Sequence, residues 1–188
     1  MINLAIFASG TGSNAENLIR HFEKHEHIRI GLVLCNCAGA PVLKRVKKLG
    51  VPTHVFNKAD FYRSDAVLKK LQEYHIQYIV LAGFLWLMPE NLLAAFPQRI
   101  INIHPALLPK YGGKGMYGIH VHRAVIANAE KETGITIHQV DAEYDHGKIL
   151  FQAQCAVDSN DTPESIVAKV HALEYWYFPE IVEKWIGF

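Results

Sequence analysis

The sequence predicts an α/β fold: a Rossmann-like, mostly parallel twisted sheet with helices on both faces and an antiparallel addition toward the C-terminus. Three observations carry this reading. Short apolar strand patterns alternate with amphipathic helical patterns through the first half of the chain, which implies repeated βα units. A glycine-rich turn, Ser9-Gly10-Thr11-Gly12-Ser13-Asn14, joins the first strand to the first helix. Beyond His104 the alternation gives way to two strands close enough in sequence to pair antiparallel.

The elements follow in order. Strands are expected at residues 3–8, 28–34, 53–56, 78–82 and 100–104, with helices at 15–22, 42–49, 65–74 and 89–95 between them. Gly50 and Pro52 close the second helix and Pro97 ends the fourth. A glycine-rich loop at 110–118 leads to a short helix near 120–127, then to strands at 135–140 and 149–157. Thr162-Pro163-Glu164 is a helix start, with threonine as N-cap and proline in the first turn. That helix runs past Val167, Val170, Leu173 and Tyr177, and Pro179 is expected to kink or interrupt it. No repeat or linker breaks the pattern, so residues 1–188 are expected to form a single domain.

Composition narrows the function classes. The 188 residues suffice for one α/β core. A net charge of +1 favours neither nucleic acid nor an anionic membrane. No apolar run is long enough to cross a bilayer, and the N-terminus reads as a strand, not as a secretory signal. Cys35, Cys37 and Cys155 form no disulfide framework, and the simplest compartment is the reducing cytoplasm. Cys35 and Cys37 lack the second ligand pair that a zinc site needs, so the thiols are read as free and buried, with no metal expected.

Two stretches carry chemistry. In Ile100-Ile101-Asn102-Ile103-His104-Pro105, alternation puts Ile101 and Ile103 on one face of a strand and Asn102 and His104 on the other. An amide and an imidazole thus lie together at a strand's C-terminal end, where open α/β sheets bind ligands. They are suitable donors for a developing oxyanion. Thr136 and His138 share a face of a later strand. That strand leads into Asp141-Ala142-Glu143-Tyr144-Asp145-His146-Gly147, where one of three carboxylates reaching His104 would hold it protonated and raise its pKa. Spacing does not choose among the three. The other stretch is the Ser9–Asn14 turn. Its glycines admit a tight turn, Ser13 and Glu16 have capping-box spacing, and the helix N-terminus favours a phosphate monoester. The run also fits a dinucleotide-binding fingerprint, but Leu34-Cys35-Asn36-Cys37 supplies no carboxylate for a ribose. No nucleophile elbow or zinc-hydrolase motif occurs, so the chemistry expected is acid–base and electrostatic.

Ser9-Gly10-Thr11-Gly12-Ser13-Asn14, Leu81-Ala82-Gly83-Phe84, Ile101-Asn102-Ile103-His104-Pro105-Ala106-Leu107-Leu108-Pro109 and Asp145-His146-Gly147 together resemble the glycinamide ribonucleotide transformylases, folate-dependent formyltransferases of purine synthesis. The resemblance covers essentially the whole chain and implies the formyltransferase fold. It implies transfer of a formyl group from 10-formyltetrahydrofolate to the amine of glycinamide ribonucleotide, both small-molecule partners, by a monomer or homodimer. Asn102, His104 and Asp145 would be the catalytic set, which selects Asp145 among the three carboxylates. Gly12, Ser13 and Asn14 would hold the substrate phosphate, and Glu174 the ribose or glycinamide part. Leu85, Trp86, Leu87, Met88, Asn102, Arg63 and Asp141 would meet the folate. Two features depart from the family pattern: Trp86 stands where many members carry arginine, and the 110–118 loop is longer, with glycines suited to a lid. The rivals are methionyl-tRNA formyltransferase, which usually adds a C-terminal domain, formyltetrahydrofolate hydrolase, which usually adds an N-terminal one, and a non-catalytic nucleotide-binding module.

Overall fold

The structure is a computed structural model describing residues 1–188, and the chain divides into two compact units, Met1–Ile101 and Asn102–Phe188. The first holds β1 (Ile2–Ala8), α1 (Ser13–Phe22), β2 (Ile28–Cys35), α2 (Pro41–Lys47), β3 (Thr53–Val55), α3 (Lys58–Tyr62), α4 (Ala66–Glu73), β4 (Tyr78–Leu81) and α5 (Glu90–Ala95). β5 (Ile100–His104) carries the chain from the first unit into the second, which continues with α6 (Ile119–Ala127), β6 (Glu132–Gln139), β7 (Ile149–Ala156) and α7 (Pro163–Ile186). The strand order is β3-β2-β1-β4-β5-β6-β7. β1 runs parallel to β2 and β4, β2 parallel to β3, and β6 antiparallel to β7. This is the mostly parallel sheet with an antiparallel C-terminal addition that the sequence predicts.

β1 is apolar without interruption from Leu4 to Ala8, and all five residues are fully buried. Such a run suits a strand covered on both faces. Phe7 sits among Phe56 and Phe84, with ring centroids 5.8 and 5.3 Å away in edge-on arrangements. Edge-on packing sets the positive ring edge against the negative ring face.

Most element boundaries agree with the sequence reading to within two residues. The differences have local causes. α3 is absent from that reading, yet Asn57 caps it: its side chain accepts from the Ala59 and Asp60 amides, and Asp60 accepts from the Asn57 amide. β6 begins at Glu132 rather than Ile135 because its first residues pair with the end of β7, Glu132 opposite Ala156. The expected Ser13–Glu16 capping box does not form. Gly12 is the N-cap, in a left-handed conformation with φ 77°, and no side chain caps the helix. Glu16 is drawn away by Arg20 at 2.8 Å and by Arg45. Pro179 does not interrupt α7, which continues to Ile186. Proline costs the Tyr175 carbonyl its amide donor, but burial of Phe178, Pro179 and Val182 holds the helix together across that point. The cysteines are free, but only Cys35 is buried; Cys37 is exposed and Cys155 half-buried.

α6 packs on α7. His122 of α6 is 3% exposed and its Nδ1 has no hydrogen-bond partner. Burial, and then the nearby His171 and His104, push its pKa down to about 4 from 6.5. Well above pH 6.5 the ring is neutral in both folded and unfolded chains. As pH falls toward 4 the unfolded chain takes up a proton that the folded chain refuses, so stability declines across that window. Allowing for solvent screening, the loss is about 1–2 kcal/mol. Denaturant unfolding at pH 7 and pH 4.5 checks this: His122→Leu reduces the stability difference between the two pH values, and an unchanged difference contradicts it.

Candidate active site

β5 presents Asn102 and His104 on one face, as alternation requires, and both side chains reach the same carboxylate. Asn102 Nδ2 donates to Asp145 Oδ1 at 3.4 Å, and His104 Nδ1 lies 3.5 Å from Asp145 Oδ2. The Gly113 amide donates to that same Oδ2 at 2.9 Å. His138 closes the group. Its Nδ1 donates to the Gln139 carbonyl at 2.8 Å, and its Nε2 lies 3.1 Å from Asn102 Nδ2 and 3.6 Å from Asp145 Oδ1, so that an unprotonated Nε2 accepts from the amide and a protonated one faces the carboxylate with its N–H. The second nitrogen of His104, Nε2, donates to the Tyr111 carbonyl at 2.7 Å.

Asp145 is brought inward by the turn between β6 and β7, where it adopts a left-handed backbone with φ 54°. Its side chain is 11% exposed. Gly112 packs against it; a Cβ there would lie 3.2 Å from Asp145 Cβ and 2.6 Å from Leu108 Cδ2. The loop's other carboxylates behave differently. Asp141 accepts from the Glu143 amide and pairs with His146 Nδ1 at 2.9 Å, and Glu143 is exposed. Of the three acids, geometry brings Asp145 alone to His104.

The charges follow from burial and neighbours. Burial raises the Asp145 pKa, but His138, His104 and the Gly113 amide outweigh it and hold the carboxyl below its usual value. His104 goes the other way. Burial lowers its pKa more than Asp145 and the Tyr111 carbonyl raise it, and His138 lowers it further. The expectation that a carboxylate would lift this imidazole above its ordinary value is therefore corrected. Asp145 acts in the expected direction, but desolvation of a ring that is 3% exposed is larger.

Behind this group, Thr136 fixes the chain as it leaves β5. Its hydroxyl donates to the Ala106 carbonyl at 2.6 Å and accepts from the Leu108 amide at 3.0 Å and Gln152 Nε2 at 2.8 Å. Gln152 also donates to the Leu108 carbonyl. Tyr111, Gly113 and Gln152 were missed as site residues in the sequence. The two loop residues act through backbone atoms, and a lone glutamine in a strand gives no signal. The sequence shows His138 only as sharing a strand face with Thr136.

In the first unit, Gly12 makes the turn into α1, and a Cβ there would lie 2.6 Å from Val42 Cβ. Ser13 is the first helical residue and Asn14 is buried. The leading amides of α1 suit an anion. Ser9 ties this turn to the stretch after β4: its amide donates to Gly83 and its hydroxyl accepts from Leu85. Leu85 is exposed, Met88 buried, and the Leu87 carbonyl accepts from the Tyr62 hydroxyl at 3.0 Å. Trp86 packs within 6.2 Å of the rings of Phe56, Phe61, Tyr62 and Phe84. Arg63, exposed, caps the end of α3 beside Tyr62. In the second unit Glu174 is 6% exposed, with His171 Nε2 at 3.8 Å, so it is no surface charge.

The formyl transferase family model matches residues 2–182. The chain is 41% identical over 194 aligned residues to the chloroplastic phosphoribosylglycinamide formyltransferase of Arabidopsis thaliana; the match covers 95% of this chain and 63% of that protein, so the chain spans about three-fifths of its plant relative's length. It is 34% identical to the phosphoribosylglycinamide formyltransferase of Bacillus subtilis, over 100% of this chain and 96% of that one. The crystal structure of the phosphoribosylglycinamide formyltransferase from Bacillus halodurans superposes with a TM-score of 0.88 at 34% identity, covering 98% of this chain and 95% of that one. The fold is shared with these structures: a Rossmann-like, mostly parallel sheet flanked by helices, with antiparallel strands at its C-terminal end. The chain belongs to the formyl transferase family.

Proposed function

We propose that this protein is a phosphoribosylglycinamide formyltransferase, moving the formyl group of 10-formyltetrahydrofolate to the amine of glycinamide ribonucleotide in purine synthesis. The observation that carries this reading is the convergence of Asn102 and His104 on Asp145, in a chain whose relatives bear that name. The whole chain acts as one formyltransferase domain, as a monomer or homodimer in the cytoplasm, on small molecules. No helix is long and apolar enough to cross a membrane.

The catalytic roles follow from chemistry, and the binding roles are those the resemblance implies. The amine attacks the formyl carbon, and its carbonyl oxygen becomes an oxyanion. Asn102 and His104 supply the N–H donors for that charge. The Tyr111 carbonyl accepts at His104 Nε2 in the ligand-free protein, so this nitrogen bears a proton even when the ring is neutral. As negative charge grows beside Nε2, the ionised Asp145 at Nδ1 favours uptake of a second proton, and the imidazolium forms when it is needed. The attacking amine loses a proton as its new C–N bond forms; the ionised Asp145 accepts it and delivers it to the folate nitrogen as the bond from that nitrogen to the formyl carbon breaks, so the carboxylate ends ionised as it began. Gly12, Ser13 and Asn14 hold the ribonucleotide phosphate, and Glu174 takes the ribose or glycinamide part. Leu85, Trp86, Leu87, Met88, Arg63 and Asp141, with Asn102, meet the folate. Trp86, packed among Phe56, Phe61, Tyr62 and Phe84, places an apolar ring where the resemblance implies a guanidinium, which suits contact with the folate ring system better than with a charge on its tail.

The direct test follows folate absorbance with 10-formyltetrahydrofolate, with and without glycinamide ribonucleotide. Turnover that requires the ribonucleotide supports the reading; formate release without it would indicate a hydrolase, and no turnover a binding module. Asp145→Asn keeps the shape but removes the charge. Its kcat falls by about 10²–10⁴ while KM for either substrate moves little; steady-state kinetics showing a change confined to KM contradicts the role. Asn14→Ala raises KM for the ribonucleotide about 5–10-fold, the scale of one lost hydrogen bond, with the folate KM within about twofold. Equal effects on both substrates would remove Asn14 from the phosphate site.

A further inference from the structure

Five non-glycine residues hold left-handed backbones, and two of them, Tyr111 (φ 57°) and Asp145 (φ 54°), touch His104. A bulky aromatic residue rarely adopts this conformation unless its surroundings impose it. The Tyr111 phenol donates to Glu130 Oε1 at 2.9 Å. Lys110 Nζ, next in the chain, lies 2.9 and 3.2 Å from the two oxygens of Glu130. Glu130 itself follows the C-terminal end of α6, where its amide donates to the Val125 carbonyl. Side chain and carbonyl of Tyr111 are thus pinned at opposite ends: the phenol on Glu130 and the carbonyl on His104 Nε2.

We propose that Glu130, acting through Tyr111, is a positioning residue for His104 in formyl transfer. The inference rests on the formyltransferase reading. A carbonyl only accepts, so it keeps a proton on Nε2 whichever charge the ring bears, and directs Nδ1 at Asp145. An oxyanion is also an acceptor. The Tyr111 carbonyl therefore holds the donor N–H in the free enzyme and yields it when the substrate oxygen arrives. The groups around His104 are Asp145 from the β6–β7 turn, His138 from β6, His122 from α6 and the Tyr111 carbonyl from the loop. Around Glu130 stand Lys110 and Tyr111, with Glu132 beside them near Lys110. Of these, Asp145 and the carbonyl favour the charged ring. Loss of the carbonyl lowers its affinity for a proton.

Tyr111→Phe and Glu130→Ala test this. His104 is titrated by NMR in the ligand-free protein, its signal assigned with His104→Gln. In both variants its midpoint falls by about half a pH unit or more. The basic limb of the kcat/KM profile, which reports the free enzyme, moves with it. The kcat limb, which reports the bound complex, stays in place. A merely structural residue would not separate the two limbs. Titration curves that superimpose on wild type in folded variants overturn the proposal. So does a nitrogen shift in the wild-type protein showing Nε2 bare in the neutral ring, a measurement that needs no variant. A midpoint shift in a protein that transfers no formyl group leaves the positioning standing and removes the functional reading; transfer without the shift does the reverse.

Discussion

The Asp145 carboxylate is the constraint around which the second unit is arranged. Its two oxygens receive Asn102 from β5 and the Gly113 amide from the loop, and they face His104 from β5 and His138 from β6. An ionised carboxylate that is mostly buried costs several kcal/mol unless donors and positive charge surround it. The left-handed turn at Asp145, the bare Gly112 packed against it and the glycine-rich stretch that supplies the amide are the backbone features that bring those donors within reach. Removing any one donor leaves a buried charge less compensated, so these residues act as a set.

Burial and charge oppose each other here in a way that suits the chemistry. The site keeps water away from His104, which favours the neutral ring, and keeps a negative charge beside it, which favours the charged one. The balance lies on the neutral side in the ligand-free protein. A second negative charge, developing on a substrate oxygen, is of the sign needed to reverse it. The proton affinity of His104 thus rises during the reaction and falls after it. A permanently charged imidazole would bind the ground state as well as the transition state and lose that difference.

The sequence carried more of the scaffold than of the site. The βα alternation, the apolar β1 and the Asn102–His104 pairing at the end of β5 were readable because strand periodicity fixes which side chains share a face. Asp145 was legible as one of three acids, and the resemblance to known formyltransferases, not spacing, picked it out. The failures have physical reasons. The pKa of His104 depends on how deeply its ring is buried, which no local pattern records. Glu16 lost its capping role to Arg45, a partner 29 positions away. Tyr111 and Gly113 contribute a carbonyl and an amide, which every residue possesses. α3 was a different failure, since the Asn57–Asp60 spacing is a helix start signal that can be read directly.

The account stands on Asp145 being ionised and coupled to the imidazole beside it. Carbon NMR of the Asp145 carboxyl across the acid range measures both. The account predicts a midpoint below the usual 3.8, and a second, smaller inflection at the pH where His104 titrates, lost in His104→Gln. A single ordinary transition near that usual value, unaffected by the substitution, would contradict it.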